Sequence, residues 1–226
     1  MSQNLNLWTA VDNYICELLV PSDPALLAAL KASDAAGLPA IQVSPAQGKF
    51  LHLQARLMQA SNILELGTLG GYSTIWLARA LPPKGRVITV DANPKHTEVA
   101  RNNVAFAGLS DRVQFHVGPA LQVLPQLARE GRAPFDFIFI DANKSDMPEY
   151  FAWALRLSRP GSLIIADNVI RDGKVLDAAS EDADIQGVRR FNDRLAAEKR
   201  VSATELQTVG SKGYDGFAMV MVLADA

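Results

Sequence analysis

The sequence lacks three features that would point to export, a membrane or nucleic acid. It contains one cysteine, Cys16, so no disulfide can form within the chain, and this fits a reducing compartment. No run approaches the roughly 20 apolar residues that span a bilayer, and no charged segment precedes an apolar stretch at the N-terminus. The 22 Lys and Arg residues are balanced by 24 Asp and Glu residues, so no overall positive charge attracts nucleic acid or anionic lipid. We therefore expect a cytoplasmic protein that acts on a small molecule.

The length and composition indicate one domain. A chain of 226 residues suits one large α/β core, and 49% hydrophobic with 20% charged residues is an ordinary globular balance. No repeat, low-complexity tract or flexible linker marks a second domain. We expect a single domain over residues 1–226, in which N-terminal helices (1–60) pack on the sheet of an α/β core (61–226).

Hydrophobic periodicity predicts the order of elements. Three N-terminal helices are expected at residues 5–19, 24–36 and 45–59, the last beginning with the capping sequence Ser44-Pro45-Ala46-Gln47. From Asn62 onward, short apolar runs alternate with helical stretches, which is the pattern of repeated βαβ units. We expect an α/β fold with a mostly parallel, seven-stranded sheet. Its strands are predicted at residues 63–66, 86–90, 113–117, 135–140, 163–166, 204–209 and 217–222, with a helix at 185–197 and a turn-rich segment at 210–216.

A glycine-rich loop follows the first predicted strand. The segment from Glu65 to Gly71 has glycines at 67, 70 and 71, where they allow tight turns and a close approach of a ligand to the backbone. Ligands of open α/β sheets bind at this end of the strands. The spacing is not that of a dinucleotide-binding loop, because Leu69 stands where a second glycine is required. The loop therefore favours a nucleoside ligand without a pyrophosphate.

The next two strand ends are compatible with a nucleoside. Asp91 ends the second strand, where a carboxylate can accept hydrogen bonds from a ribose diol. Small residues at Gly118-Pro119-Ala120, after the third strand, would leave room for an adenine ring. The alternatives are a solvated acid before Pro94 and a plain turn.

The fourth and fifth strand ends have oxygen-bearing side chains. Asp141 follows the fourth strand, and Asp167 with Asn168 follows the fifth. Two partly buried carboxylates are costly without a counter-charge, and an all-oxygen set suits Mg²⁺, Mn²⁺ or Ca²⁺ rather than zinc. The alternative is an Asx turn or helix cap at 167–168 and a solvated Asp141.

Lys144 lies three residues after Asp141, at the same end of the predicted sheet. It could remove a proton from a substrate. The alternative is an exposed loop lysine. The three histidines, His52, His96 and His116, are predicted to lie on the surface or a helix face, away from this site.

Several of these motifs, in this order, resemble the cation-dependent O-methyltransferases, the family of catechol and caffeoyl-CoA O-methyltransferases and their bacterial relatives. The similar segments cover nearly the whole chain: residues 41–45, 64–73, 90–91, 118–120, 140–144 and 167–169. The resemblance implies a Rossmann-like class I methyltransferase fold with S-adenosylmethionine as methyl donor. The implied cofactor contacts are Val43, Glu65, Gly67, Thr68, Ser73, Asp91, Ala120 and Asp141.

The same resemblance implies the rest of the site. Asp141, Asp167 and Asn168 would bind the divalent metal, and Lys144, with Asp141, would be catalytic, the lysine as general base. Homodimers are common in the family. Two positions depart from it: Ile41 stands where relatives often have methionine, and Ile170-Arg171-Asp172-Gly173 replaces a segment that often holds an aromatic residue. Arg171 could meet an anionic group of the substrate.

We therefore expect methylation of one oxygen of a vicinal dihydroxy compound of the catechol or caffeoyl type. One alternative in the same family is methylation of a hydroxylated uridine in tRNA. The basic residues that could support it are Arg189, Arg190, Arg194, Lys199, Arg200 and Lys212. More remote alternatives are an NAD-dependent oxidoreductase and a nucleoside-binding protein without turnover.

Overall fold

The computed structural model describes residues 2–224. Within them are eight α-helices and seven β-strands, and they form two compact units that divide between Pro119 and Ala120. No helix in the described part of the chain is long and apolar enough to cross a membrane. It stays a prediction that residues 1–226 form a single domain in which the N-terminal helices (1–60) pack on the sheet of the α/β core (61–226).

The first unit combines three parallel strands with five helices. Strand β2 lies between β1 and β3, and both of its neighbours run parallel to it. Apolar side chains from β1 and β2, such as Ile63, Leu64 and Ile88, are fully buried. The elements are α1 (Ser2–Leu19), α2 (Pro24–Ala35), α3 (Pro45–Leu57), β1 (Asn62–Leu66), α4 (Tyr72–Ala80), β2 (Arg86–Asp91), α5 (Pro94–Phe106) and β3 (Val113–Val117), with a 3-10 turn at Ser110–Arg112.

Proline after a capping residue begins three of these helices. The predicted cap of α3 is present, since the Ser44 hydroxyl accepts the Gln47 N–H at 3.2 Å. Asp23 and Asn93 cap α2 and α5 in the same way. Capping satisfies N–H groups that the first helical turn leaves without partners, and proline has no N–H there to lose.

The second unit has a mixed arrangement of four strands. Its elements are α6 (Ala120–Arg129), β4 (Phe137–Ile140), α7 (Met147–Arg156), β5 (Leu163–Asp167), α8 (Ala183–Ala197), β6 (Val201–Gly210) and β7 (Gly213–Val222), with 3-10 turns at Lys144–Asp146 and Lys174–Leu176. Strands β4 and β5 are parallel, whereas β7 is antiparallel to both β5 and β6.

The predicted strands are confirmed, but the predicted boundaries of β4, β6 and β7 are wrong. Strands β6 and β7 form a long hairpin in which Gly210 pairs with Gly213, so most of the predicted turn-rich segment belongs to the strands. Most residues of β6 are exposed, and the exposed ones include both polar and apolar side chains, which hides the alternating pattern of a half-buried strand. Strand β4 begins at Phe137 rather than residue 135, because the Phe135 N–H bonds to the carbonyl of Leu157 after α7.

Candidate active site

The glycine loop after β1 is held in a conformation that suits glycine. Gly67 and Gly71 have φ values of +99° and +79°, in the left-handed region. A Cβ atom on Gly71 would lie 3.1 Å from the Cβ of Ala100, so α5 packs closely on the loop. The side chain of Asn103 donates to the carbonyl of Gly70 at 2.8 Å. Helix α4 then begins at Tyr72 without a side-chain cap within the described residues, and its first N–H groups can meet a ligand.

Asp91 joins this loop to the end of β2. One carboxylate oxygen accepts the N–H groups of Thr68 and Leu69 at 3.1 and 2.9 Å, and the other accepts that of Asn93 at 2.8 Å. His96 Nδ1 lies 3.2 Å from Asp91 Oδ1, so the prediction that His96 lies away from the site is wrong. Helix α5 begins three residues after Asp91, which brings its first turn back to the carboxylate.

Glu65 is fully buried on β1 and accepts hydrogen bonds from three hydroxyl groups. Ser73 donates to its carboxylate at 2.7 Å, Thr89 at 2.7 Å, and Thr74 also donates. The hydroxyls of Thr89 and Thr68 are 2.6 Å apart, which extends the network to the loop. Predicted cofactor residues Glu65, Thr68 and Ser73 are thereby brought into one hydrogen-bonded network beneath the loop.

The remaining predicted cofactor residues lie at the ends of helices or strands. Val43 is buried just before the cap of α3, whereas Ile41 is 70% exposed. In the second unit, Ala120 is the buried first residue of α6, and Asp141 follows β4. Ala120 and Asp141 were predicted from strand ends and Val43 from the family resemblance, and each lies at or next to the end of an element.

The predicted metal ligands lie at neighbouring strand ends within the second unit. Ile140 of β4 pairs with Ala166 of β5 in parallel register, so Asp141 and Asp167 follow at the same level on strands about 4.8 Å apart. Asp167 is buried, with 7% of its surface exposed. Asn168 has a φ of +62°, a conformation that asparagine tolerates, and its N–H donates to Asp167 at 2.9 Å. Two carboxylates and an amide side chain thus lie at or just after the ends of two neighbouring strands.

Lys144 is not an exposed loop lysine. Only 6% of its surface is exposed, and its Nζ lies 2.9 Å from Asp141 Oδ1. It begins the 3-10 turn Lys144–Asp146, called the Lys144 turn below. The structure therefore places the buried Lys144 nitrogen directly beside the Asp141 carboxylate.

Tyr150 on α7 braces the loop before this turn. Its hydroxyl donates to the side chain of Asn143 and lies 3.5 Å from Asp146. Burial, and then the negative charge of Asp146, raise the pKa of Tyr150 above its ordinary value, so the phenol stays protonated and remains a donor.

The donor set fits a hard divalent cation. Magnesium and calcium prefer carboxylate and carbonyl oxygens, and Asp141, Asp167 and Asn168 supply oxygens of both kinds. Among the residues that the structure describes, no group of three His, Cys, Asp or Glu side chains could hold a metal ion. Two carboxylates plus one amide form a smaller set, which would leave coordination positions for a substrate and water.

Comparisons with known proteins identify the family of the chain. The profile of the O-methyltransferase family matches residues 20–220. A catechol O-methyltransferase from Niastella koreensis is 59% identical over 219 residues, which make up 97% of this chain and 99% of that protein. The O-methyltransferase from Bacillus cereus, solved in complex with SAH, has a TM-score of 0.95 and 57% identity over 96% of this chain and 99% of that one. TomG from Streptomyces achromogenes, an O-methyltransferase involved in tomaymycin synthesis and solved with SAM, has a TM-score of 0.95 and 53% identity over 97% of this chain and 99% of its own.

These findings define the protein as a methyltransferase of the Rossmann-like class, as predicted. The chain belongs to the O-methyltransferase family, and its resemblance to the catechol and caffeoyl-CoA enzymes is confirmed. The predicted enzyme class, an S-adenosylmethionine-dependent O-methyltransferase, is confirmed as well.

Several residues of the site were not predicted from the sequence. Asn103 holds the glycine loop, and His96 contacts Asp91. Asp215 holds the loop that begins at Asn168, and Asp184 holds the turn that contains Lys144. Asp215 precedes Gly216 in a segment that was predicted as a turn, and this turn signal was the only indication of its role. The other three residues lie on helices and gave no local signal.

Proposed function

We propose that this enzyme transfers the methyl group of S-adenosylmethionine to one oxygen of a vicinal dihydroxy aromatic compound, and that a divalent cation is required. The observation that supports the proposal most directly is the 2.9 Å contact of Lys144 Nζ with Asp141, beside Asp167. This arrangement combines a base with an oxygen ligand set on one edge. A catechol presents two adjacent oxygens that could both bind the cation, and Lys144 could deprotonate one of them.

The methyl donor would be held largely by the first unit. The first N–H groups of α4 lie at the end of the glycine loop, where they could donate hydrogen bonds to the methyl donor. Asp91 still has lone pairs that could accept hydrogen bonds from the ribose hydroxyls. The SAH and SAM complexes of the Bacillus and Streptomyces enzymes support this role for the same fold. Val43, Ala120 and Asp141 complete the proposed set of contacts.

Asp141, Asp167 and Asn168 would hold the cation, which supplies Lewis acidity toward the developing substrate oxyanion. Asp167 is nearly excluded from solvent, so its carboxylate is fixed in place and poorly screened. Mg²⁺ is the first candidate because its ligands are oxygens, and Mn²⁺ and Ca²⁺ share that preference.

Lys144 would remove the proton from the hydroxyl group that is methylated. Its burial keeps Nζ beside Asp141 instead of in bulk water, which limits the positions from which it can accept a proton. Holding the base near the reacting oxygen lowers the entropic cost of proton transfer.

Four of the basic residues that could support a tRNA substrate form contacts within the second unit. Arg189, Arg190 and Arg194 donate to backbone carbonyls of Val175, Ser145 and Pro148. Arg200 forms an ion pair with Glu198 at 2.7 Å, and this contact lowers the pKa of Glu198 to about 2. Each of these four side chains therefore has a partner within the second unit, although Arg190 and Arg194 are exposed.

An assay of methyl transfer tests the proposed function. The purified protein would be incubated with labelled S-adenosylmethionine, Mg²⁺ and, separately, catechols, caffeoyl esters and bulk tRNA. We expect label in a catechol or caffeoyl product, no transfer in EDTA, and recovery when Mg²⁺ is added in excess. Full activity in EDTA would overturn the proposed cation requirement, and label in tRNA alone would overturn the substrate class.

Replacing Asp91 with alanine should weaken binding of S-adenosylhomocysteine by about 1.5 to 3 kcal/mol, because charge-assisted hydrogen bonds are lost. Titration calorimetry in EDTA measures this affinity without the cation. The control is Asp111→Ala, which removes an exposed acid from the same unit. Unchanged affinity in Asp91→Ala, or tight binding of NAD to the parent enzyme, would contradict the assignment.

A homodimer and a cytoplasmic location stay predictions. Analytical ultracentrifugation of the purified protein would measure the first.

A further inference from the structure

Helix α8 packs directly against the Lys144 turn, and one glycine allows it. A Cβ atom on Gly187 would lie 2.2 Å from the carbonyl oxygen of Lys144 and 2.6 Å from the Cα of Ser145. Real Cβ atoms do not approach backbone this closely, so any larger residue must displace the turn. Gly187 lies in the middle of a helix, where glycine costs about 0.5–1 kcal/mol relative to alanine. This close approach is a physical reason for tolerating that cost.

Two charged side chains of α8 hold the peptide groups on either side of Ser145. The carboxylate of Asp184 accepts the Ser145 N–H at 3.1 Å, and Arg190 donates to the Ser145 carbonyl at 3.1 Å. The N–H that Asp184 binds belongs to the peptide group that joins Lys144 to Ser145. The position of the Lys144 main chain is therefore fixed by Gly187 through packing and by Asp184 through a charge-assisted hydrogen bond.

The same carboxylate also faces the loop after Asn168. The Arg171 guanidinium lies 3.8 Å from the second oxygen of Asp184. That loop is strained, because Asn168, Arg171 and Asp172 all have positive φ values without being glycine. Asp215 holds it by accepting the N–H groups of Ile170 and Arg171 at 3.0 and 2.9 Å. Asp184 thus lies between the turn that contains Lys144 and the loop that begins at Asn168.

We propose that Asp184 and Gly187 are positioning residues for Lys144. They hold the Lys144 main chain in place, so the side chain extends to Asp141 from a fixed Cα position. The consequence for rate rests on the proposed function, in which Lys144 is the base. A displacement of about 1 Å at a reacting group can lower a rate by about 10²-fold.

Kinetics of Asp184 variants test the proposal. Asp184→Ala should lower kcat about 10- to 100-fold with little change in the KM for S-adenosylmethionine, and the loss should shrink as the pH rises and the catechol ionises by itself. Asp184→Asn keeps an oxygen that can accept the Ser145 N–H, so it should restore most of the activity. The control is Asp193→Ala, which removes an exposed acid from the same helix and should behave like the parent.

A double variant separates positioning of Lys144 from other effects. If Asp184 acts through Lys144, adding Asp184→Ala to Lys144→Ala should lower kcat no further. Losses that multiply in the double variant, or a loss in Asp184→Ala that is the same at every pH, would overturn the proposal.

Chemical labelling tests the same contacts without any activity. Lys144 is 6% exposed, so brief treatment of the folded protein with acetic anhydride should acetylate it slowly, as measured by mass spectrometry. Asp184→Ala and Gly187→Ala should both speed this acetylation, while Asp193→Ala should not. Thermal melting checks that each variant folds. If Gly187→Ala does not fold, the labelling of Asp184→Ala alone tests the proposal. Unchanged acetylation in the folded variants would overturn the positioning role even if Lys144 proves to be the base. Faster acetylation with a fully active Lys144→Ala enzyme would instead support positioning and contradict the proposed base.

Discussion

Alanine in place of Asp167 should reduce methyl transfer to background while leaving binding of S-adenosylhomocysteine intact. Asp167 is the buried member of the proposed ligand set, and its removal takes one of only two carboxylates from the site. Loss of Lewis acidity at the reacting oxygen is worth several kcal/mol, which corresponds to a rate loss of about 10³-fold or more. The nucleoside contacts proposed for Thr68, Ser73 and Asp91 do not involve this residue.

Three measurements on Asp167→Ala distinguish this result from unfolding. Labelled methyl transfer gives the rate, calorimetry with S-adenosylhomocysteine gives the cofactor affinity, and the spin-resonance signal of free Mn²⁺ gives the metal affinity. The control is Glu149→Ala, which removes an exposed acid from α7 in the same unit. Retained turnover with Mn²⁺ affinity equal to the parent's would show that Asp167 is not a metal ligand.

Alanine in place of Lys144 should preserve both ligands and lower the rate by about 10²- to 10⁴-fold, the usual contribution of a positioned general base. The loss should be largest at neutral pH with a weakly acidic catechol. Raising the pH should partly restore the rate, because a hydroxyl group that has already ionised needs no base. More acidic catechols should show a smaller loss for the same reason.

A pH series of kcat with two catechols of different acidity measures the effect of Lys144→Ala. Lys174→Ala is a suitable control, because Lys174 is an exposed lysine in a 3-10 turn of the same unit. If Lys144→Ala is as active as the parent at neutral pH with the weakly acidic catechol, Lys144 is not the base. A loss that is equal at all pH values would point to a structural role for the Lys144–Asp141 contact.

The strand ends could be predicted from the sequence because parallel strands impose a simple rule. Buried runs such as residues 137–140 are continuous and apolar, so the first polar residue after each run marks the end where ligands bind. That rule placed Asp91, Asp141 and Asp167 correctly at strand ends without any knowledge of tertiary contacts.

The residues that hold these groups in place could not be predicted in the same way. Asp184 and Ser145 are 39 residues apart, and Asn103 is 33 residues from Gly70. No local pattern relates such pairs, because an acid near the start of a helix ordinarily stabilises that helix end. The close approach of Gly187 to the Lys144 turn depends on tertiary packing and has no local sequence signal either.

The contacts of Asp91 have a consequence for the thermodynamics of cofactor binding. The N–H groups of Thr68, Leu69 and Asn93 all have Asp91 as their acceptor, so folding of the chain itself orders the glycine loop and removes its conformational entropy. A ligand that docks on an ordered loop does not pay that entropy a second time, and a larger share of its contact energy appears as affinity. The carboxylate that would receive the ribose therefore also shapes the surface on which the rest of the nucleoside lies.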